Sequence, residues 1–183
     1  MNPNRSAVDE LIQEIRGSLT RAVVDSKHSF RYPVVSTFDN ELGVQSRTVV
    51  LRKFTSDSLI IFTDRRTPKC EQIHADSRVQ FLFYDPRHRV QLRVSGLAQI
   101  LDEAASQVYL SGMDERATKD YRTVAIPGSP LHKEVVEYEE DVYFAAITTQ
   151  ITTIDYVKLQ RPQHVRCKIS INKGKWEGSW VVP

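Results

Sequence analysis

The chain has 183 residues, of which 40% are hydrophobic, so it can bury one good core and we expect a single domain over 1–183. Its 25 Lys and Arg residues against 23 Asp and Glu residues give a formal net charge of +2, too small to predict a nucleic-acid partner. No apolar run is long enough to cross a bilayer and the first residues lack a secretory signal, so we expect a cytoplasmic protein without a membrane partner. Cys70 and Cys167 are the only cysteines and lack Cys-x-x-Cys spacing, which argues against a disulfide or a zinc site.

The first part of the chain predicts an opening helix followed by three strands. Apolar residues recur at helical spacing over 6–24, with Ser6 as the N-cap, which predicts an amphipathic N-terminal helix within 1–25. The runs 32–38, 46–54 and 59–63 are rich in β-branched and aromatic residues, and together they predict an antiparallel meander. A short helix is predicted over 66–75, with a proline in its first turn.

The remaining chain predicts mostly strands. The runs 78–84 and 89–101 form a predicted pair, and the second alternates between apolar residues on one face and polar residues such as Gln91 on the other. Weaker helical patterns follow, and then a clear loop with two prolines. So many strands favour a small closed barrel over an open sheet, because closure removes exposed edges. The weaker helices are predicted over 102–111 and 115–125, the loop over 126–130, and the last strands over 143–148, 151–159, 165–171 and 175–181.

Two of the predicted strands bring cationic and hydroxyl side chains to what the pattern indicates are neighbouring ends of one hairpin. Arg47, Thr63, Thr67 and Lys69 belong to this group. Guanidinium forks, ammonium groups and hydroxyl donors satisfy the oxygens of a phosphate dianion with charge-assisted hydrogen bonds. The alternative is that these cations form a solvated strand face, as most exposed arginines do. The residues alone leave both interpretations open.

An ordered series of short motifs is more specific than any one of them. In chain order the motifs are Arg47-Thr-Val-Val-Leu-Arg52, Phe62-Thr63, Thr67-Pro68-Lys69, Gln91-Leu-Arg-Val-Ser-Gly96 and a C-terminal hairpin that contains tryptophan. The series resembles the FMN-binding split barrel of the pyridoxamine 5'-phosphate oxidase family. It is most similar to the uncharacterised FMN-binding branch whose loop reads Thr-Asp-x-Arg-[Ser/Thr]-x-Lys, which is residues 63–69 here.

The resemblance implies a mainly β (α+β) fold, namely a six- to eight-stranded antiparallel split β-barrel with peripheral helices. It implies that 1–183 is one FMN-binding domain, that FMN is the cofactor, and that the protein is a flavoprotein oxidoreductase for a small-molecule substrate. It also implies a homodimer in which residues near the C-terminus reach the cofactor of the partner.

The resemblance further implies which residues contact the cofactor. Lys69 matches a phosphate-binding lysine, and Arg65 or Arg66 would replace the arginine that the oxidases often carry at the position of Pro68. Gln91 matches a glutamine that hydrogen-bonds the flavin ring. The implied cofactor-binding residues are Arg47, Thr48, Val49, Val50, Leu51, Arg52, Phe62, Thr63, Arg65, Arg66, Thr67, Lys69 and Gln91, with Tyr156 and Arg166 serving the partner.

The substrate side departs from the oxidases. Their C-terminal Arg-x-His is Pro162-Gln163-His164 here, and their substrate-phosphate lysine is Arg52, which leaves Arg52 and His164 as the substrate candidates. No catalytic residue is assigned, and no metal is expected because the histidines lack ligand spacing. Three functions stay open: an oxidoreductase with another small substrate, a true pyridoxamine 5'-phosphate oxidase, or a non-catalytic FMN-binding or flavin-storage protein.

Overall fold

The computed structural model describes residues 3–131 and 135–183, so residues 1, 2 and 132–134 of the predicted domain lie outside the described part. The described helices are α1 (Pro3–Val24), α2 (Pro68–Ala75), α3 (Glu103–Leu110) and α4 (Glu115–Lys119), with a 3₁₀ turn at Ser29–Arg31. The described strands are β1 (Val34–Asp39), β2 (Gly43–Thr48), β3 (Lys53–Phe54), β4 (Ser58–Asp64), β5 (Arg78–Asp85), β6 (Val90–Ile100), β7 (Phe144–Lys158), β8 (Val165–Asn172) and β9 (Lys175–Val181).

All nine strands belong to one antiparallel sheet with the hydrogen-bonded order β2-β1-β5-β6-β7-β4-β3, from which β8 and β9 branch at β7. The predicted mainly β split barrel with peripheral helices is confirmed, and the strand number exceeds six to eight because β3 adds a strand of two residues. The predicted closed barrel is wrong. Among the described residues no ladder joins β2 to β3, and only the chain over 49–52 connects these two ends of the sheet.

The predicted strand over 46–54 is interrupted because its backbone turns to hydrogen-bond a preceding segment. The amide of Val49 donates to the carbonyl of Pro33 at 2.9 Å, and the amide of Leu51 donates to the carbonyl of Arg31 at 3.0 Å. Leu51 is also fully buried, which anchors the break in the core. The predicted hairpin between the two motif strands is found only in part: β3, the end of the first run, pairs with β4, whereas β2, which carries Arg47, pairs with β1.

The apolar stripe of α1 covers one side of the sheet. Ile15 and Leu19 are almost fully buried in the main core, as their helical spacing predicts. The helix begins before Ser6, so Ser6 is not its N-cap, since proline is tolerated in a first helical turn. The helix lies so close to β9 that a Cβ added at Gly178 would be 2.8 Å from Val8.

Strands β6 and β7 form the longest pairing of the sheet. The inward residues of β6 are buried as the alternation predicts, with Leu92 and Val94 fully covered. One continuous β7 replaces two predicted strands, because β4, β6 and β8 all pair with it. The register shifts between Ser95 and Gly96, where a Cβ on Gly96 would lie 2.4 Å from the carbonyl oxygen of Gln150.

A second, smaller apolar cluster lies beside β4, where α3 and the residues after α4 meet the sheet. The ring of Phe62 lies 5.5 Å from that of Tyr109 and 5.0 Å from that of Phe144, measured between centroids. The predicted helix over 102–111 is α3, whereas the predicted helix over 115–125 shortens to α4 because the next residues form an isolated β-bridge. None of the described helices is long and apolar enough to span a membrane.

Candidate functional site

The residues predicted to bind phosphate converge where the two ends of the sheet approach each other. Arg47 comes from β2, Thr63 from β4, and Thr67 and Lys69 from the start of α2. Pro68 fixes the first helical residue, and the Thr67 side chain makes no cap hydrogen bond, so its hydroxyl serves other partners. With two residues that contact them, they form what we call the phosphate cluster: Thr37, Arg47, Thr63, Thr67, Lys69 and Gln72.

Gln72 of α2 organises the arginine side of the cluster. The guanidinium of Arg47 donates to the hydroxyl of Thr37 and, at 3.1 Å, to Oε1 of Gln72. The Thr37 hydroxyl donates to the same Oε1 at 2.5 Å, and Nε2 of Gln72 donates to the carboxylate of Asp39 at 3.0 Å. Thr37 and Gln72 are buried, so these bonds hold the guanidinium in one orientation. Sequence reasoning missed both residues, and only the inward position of Thr37 on its strand could have indicated it.

Lys69 organises the opposite side. Its Nζ donates to the Thr63 hydroxyl at 2.7 Å and to the Thr67 hydroxyl at 2.9 Å. Thr67 in turn donates to the carbonyl of Asp64 at 2.7 Å. Both threonines are buried, so α2 is joined to β4 through Lys69 and to β1 and β2 through Gln72.

The electrostatics of the cluster favour an anion. No carboxylate of the described residues lies within 4.0 Å of the charged groups of Arg47 or Lys69. Burial lowers the pKa of Lys69, and the charge of Arg47 lowers that pKa further. Burial also lowers the pKa of Arg47. Two partly buried cations without a counterion are stabilised by a ligand that brings negative charge, and a phosphate matches this donor set.

The two arginines proposed to replace the one lost at Pro68 differ in their partners. Arg66 donates to both carboxylate oxygens of Asp64, at 3.1 and 2.7 Å, and its guanidinium carbon lies 3.4 Å from the ring centroid of Tyr143. Its charge is thereby compensated. Arg65 donates to the carbonyl of Phe144 at 2.9 Å, which leaves its charge unpaired among the described carboxylates. Of the two, Arg65 is the one with charge to offer an anion.

The segment predicted to lie along the flavin ring links the two ends of the sheet. Thr48 ends β2 and is exposed on the outer face of the sheet, that is, the face turned away from the main core. Val49 and Val50 are partly buried, and Leu51 is fully buried. The segment therefore presents backbone and small apolar side chains beside Arg47, which suits a flat ring system.

Arg52 and Phe62 lie together at the second apolar cluster. The guanidinium carbon of Arg52 is 5.5 Å from the ring centroid of Phe62, and its positive charge acts on the hydroxyl of the neighbouring Tyr121. Burial raises the pKa of Tyr121, with the charge of Arg52 opposing this shift. No carboxylate of the described residues pairs with Arg52, so it has charge to offer an anionic group. Tyr121 was not predicted, and its lone aromatic signal on a weak helix could not indicate it.

Gln91 and Arg166 share the outer face of the sheet. Gln91 is directly opposite Val157 of β7, and Val157 is directly opposite Arg166 of β8. Directly opposed residues of antiparallel strands point to the same side, and two strand spacings put Gln91 and Arg166 about 10 Å apart. Tyr84 of β5 extends the same row.

Tyr156 lies on the other side of the sheet, in the main core, with 4% of its surface exposed. The structure therefore does not support Tyr156 as a cofactor contact, and the correction follows from strand alternation. Because successive side chains point to opposite faces, Val157 is the β7 residue that shares a face with Gln91. The predicted residue, Tyr156, is thus the chain neighbour of the outward residue, Val157.

Arg166 is held on this face by a carboxylate that sequence reasoning missed. It donates to both oxygens of Asp155, at 3.0 and 2.8 Å, and Arg93 donates to the same carboxylate. Arg166, together with Arg93, keeps the pKa of Asp155 below its usual range. The sequence pattern that could have indicated Asp155 is an acidic residue on a strand whose two neighbouring strands each carry an outward arginine.

His164 lies in the exposed turn between β7 and β8, after a cis peptide bond at Arg161–Pro162. Its Nδ1 accepts a hydrogen bond from the Gln160 amide at 3.1 Å. β4 pairs with the first part of β7, residues 144–150, near Arg52, whereas this turn follows the opposite end of β7, so the fold of one chain does not bring His164 and Arg52 into one site.

The sequence comparison finds one matching family model, described as the FMN-binding domain of pyridoxamine 5'-phosphate oxidase, over residues 12–102. A pyridoxine/pyridoxamine 5'-phosphate oxidase of Anaeromyxobacter dehalogenans is 27% identical over 104 residues, which are 57% of this chain and 52% of that protein. The enzyme of the same description from Prochlorococcus marinus is 31% identical over 102 residues, 55% of this chain and 45% of that protein. The chain thus spans about half the length of the curated relatives it matches.

Two solved structures resemble the whole chain. A pyridoxamine 5'-phosphate oxidase-related, FMN-binding protein of Nostoc punctiforme has a TM-score of 0.74 at 21% identity, covering 100% of this chain and 99% of that one. PhzG of Burkholderia lata, solved with tetrahydrophenazine-1-carboxylic acid, has a TM-score of 0.73 at 12% identity, covering 100% and 95%. At these identities the likeness establishes the fold alone.

Proposed function

Because the chain belongs to the pyridoxamine 5'-phosphate oxidase-like family of FMN-binding proteins, we propose that it is an FMN-dependent oxidoreductase for a small anionic molecule. The observation that carries the proposal is the pair of uncompensated cations in the phosphate cluster, with a third uncompensated cation, Arg52, nearby in sequence on the connecting segment.

The residues present fit FMN. Arg47 and Lys69 would bind its phosphate together with the hydroxyls of Thr63 and Thr67, and Arg65 would add charge at the rim. Gln91 of the outer face would hydrogen-bond the ring. The bound flavin supplies the redox chemistry, so the protein has only to hold it, shield it and admit a substrate.

Arg52 is the proposed substrate residue. Its guanidinium lies over the ring of Phe62, near Tyr121, and has no carboxylate partner among the described residues, so a planar anionic substrate could pair with it without displacing a carboxylate. His164 is the second candidate, contributed by the partner protomer. Pro162 in place of an arginine removes one positioning contact for pyridoxal compounds, and positioning is a large part of such catalysis.

We propose a homodimer that uses the outer face of the sheet. Leu82 and Tyr84 are apolar and exposed there, beside the ion pairs of Asp155 with Arg93 and Arg166. Such a mixture of aromatic, aliphatic and arginine side chains is typical of protein interfaces. Arg166 would then approach the flavin of the partner.

Anaerobic reduction of bound flavin tests the proposal. Pyridoxamine 5'-phosphate and other small anionic amines and alcohols are mixed with the FMN-loaded protein, and the loss of flavin absorbance is followed. We expect at least one donor to reduce the flavin, and Arg52→Gln to slow this reduction while FMN stays bound. Arg78→Gln, an exposed arginine paired with Asp76, is the matched control and should be without effect.

A non-catalytic FMN-binding protein is the second candidate, favoured by the missing arginine at Pro162. In that case FMN binds at the same cluster, but no donor reduces it faster than it reduces free FMN. Efficient turnover of pyridoxamine 5'-phosphate would instead support a true oxidase.

A further inference from the structure

A cavity lies between α1, the 3₁₀ turn and the β5–β6 hairpin, and it shares no residue with the phosphate cluster. Its volume is about 280 Å³, and its apolar walls include Ile15, Phe30 and Leu92, which are almost fully buried. This is close to the lower limit of cavities that bind small organic molecules, and too small for a flavin or a dinucleotide.

The hydroxyl of Tyr156 is a hydrogen-bond donor at the wall of this cavity. Tyr156 lines the cavity with 4% of its surface exposed, yet no group of the described residues hydrogen-bonds its hydroxyl. The hydroxyl is open to the cavity, so water satisfies it in the free protein and a ligand oxygen could take the place of that water. Burial raises the pKa of Tyr156 to about 12, so the hydroxyl keeps its proton and can donate it to a ligand oxygen.

The polar rim of the cavity is close to balanced in charge. Glu14 and Arg21 of α1 carry opposite charges. The carboxylate of Asp85 lies 2.6 Å from Nδ1 of His88. Nδ1 of His28 accepts the Phe30 amide at 3.1 Å, and burial lowers the pKa of His28, so the ring is a neutral donor through Nε2. A rim of this kind does not select a strongly charged ligand.

We propose that this cavity binds an uncharged single-ring organic molecule that carries one hydroxyl or carbonyl oxygen. The ring packs against Phe30 and Leu92, and the oxygen accepts the hydrogen bond of Tyr156. The site is separate from the proposed flavin site and does not depend on it.

Benzyl alcohol is the probe, with benzoate and benzylamine as charged molecules of similar size. Each is titrated into the full-length protein as purified, and backbone amide shifts are followed by NMR. We expect saturable shifts at residues 28, 90–92 and 156 with a dissociation constant of about a millimolar, and weaker binding of both charged analogues. Residues 63–69 should not shift.

Tyr156→Phe removes the hydroxyl and keeps the ring, and it should weaken benzyl alcohol binding about three- to tenfold. Tyr138→Phe makes the same change at an exposed tyrosine outside the cavity and should have no effect. Ser18→Leu should block the cavity from α1, whereas Thr20→Leu, at an exposed position of the same helix, should not. Unchanged affinity in both Tyr156→Phe and Ser18→Leu, or equal binding of all three probes, would overturn the proposal.

Discussion

Arg47 and Lys69 show how a ligand site is recognised from unbalanced charge. Each is partly buried, each hydrogen-bonds only to neutral groups among the residues that the structure describes, and each has its pKa lowered by burial. Surface cations of the same chain behave differently, since Arg78 pairs with Asp76 and Lys175 with Glu177. The two cations of the phosphate cluster thus require a negatively charged partner, and the interpretation as a solvated strand face does not explain why they are partly buried without one among the described residues.

Arg47→Ala should weaken FMN binding by about ten- to a hundredfold, because a charged hydrogen bond to phosphate contributes about 1.5–3 kcal/mol. Riboflavin lacks the phosphate, so its affinity should hardly change. Flavin fluorescence quenching measures both ligands, and Arg78→Ala is the control. Equal losses for FMN and riboflavin would show that Arg47 supports the fold instead of the phosphate.

Asp155→Asn should lower the melting temperature at neutral pH. The folded-state pKa of Asp155 is held below its unfolded value by Arg166 and Arg93, so its stabilisation is complete above the unfolded pKa and is lost as the pH falls through the folded one. For this mostly buried carboxylate we expect about 1 kcal/mol, or roughly 2–4 °C. Melting curves from pH 7 to pH 2 test the sign, and a deficit that persists at the acid end would contradict it.

At the scale of elements, the pairing of β6 with β7 depends on close backbone approach at Gly96. A Cβ there would meet the Gln150 carbonyl at 2.4 Å and the Thr149 side chain at 2.7 Å, so one strand must shift.

Gly96→Ala should therefore destabilise the protein by about 1–3 kcal/mol. Gly17→Ala is the matched control, since a Cβ at that helical position meets nothing within 4 Å and should stabilise by about 0.5–1 kcal/mol. Denaturant unfolding measures both changes, and the prediction fails if the two variants shift the midpoint in the same direction.

The elements also show what sequence can and cannot predict. The alternation in β6 and the stripe of α1 are periodic, and both are found where they were expected. The break after Thr48 was not predictable, because residues 49–51 are themselves good strand formers and only the backbone of residues 31 and 33 diverts them. The motif residues of the phosphate cluster were grouped from their charges and hydroxyls and assigned to a phosphate through the resemblance, whereas Gln72 joins them through tertiary packing alone. Tyr156 was predicted to contact the cofactor but lies in the core, because a resemblance without a known register cannot separate neighbouring positions on a strand.

At the scale of the whole molecule, the proposed homodimer assembles each flavin site from two chains. Arg47→Ala and Arg166→Ala should each weaken FMN binding when studied separately. Mixed dimers of the two variants should recover one of their two sites, because one site then receives Arg47 and Arg166 from unmodified positions. Titration after unfolding and refolding the mixture tests this, and the absence of recovery in a confirmed mixed dimer would show that Arg166 acts within its own chain.

The phosphate cluster also links the two ends of the sheet. Its side chains come from β1, β2, β4 and α2, so the cluster joins strands at or near both ends of a hydrogen-bonded path that no ladder closes within the described part of the chain. A bound phosphate would therefore connect the two ends, and opening either end would require release of the ligand. By linkage, FMN should slow amide exchange in the β1–β2 hairpin and in β4 together, and leave the remote β8–β9 hairpin nearly unchanged. Cofactor binding and local opening between the two ends of the sheet would then be coupled, because the ends could separate only after the flavin has dissociated.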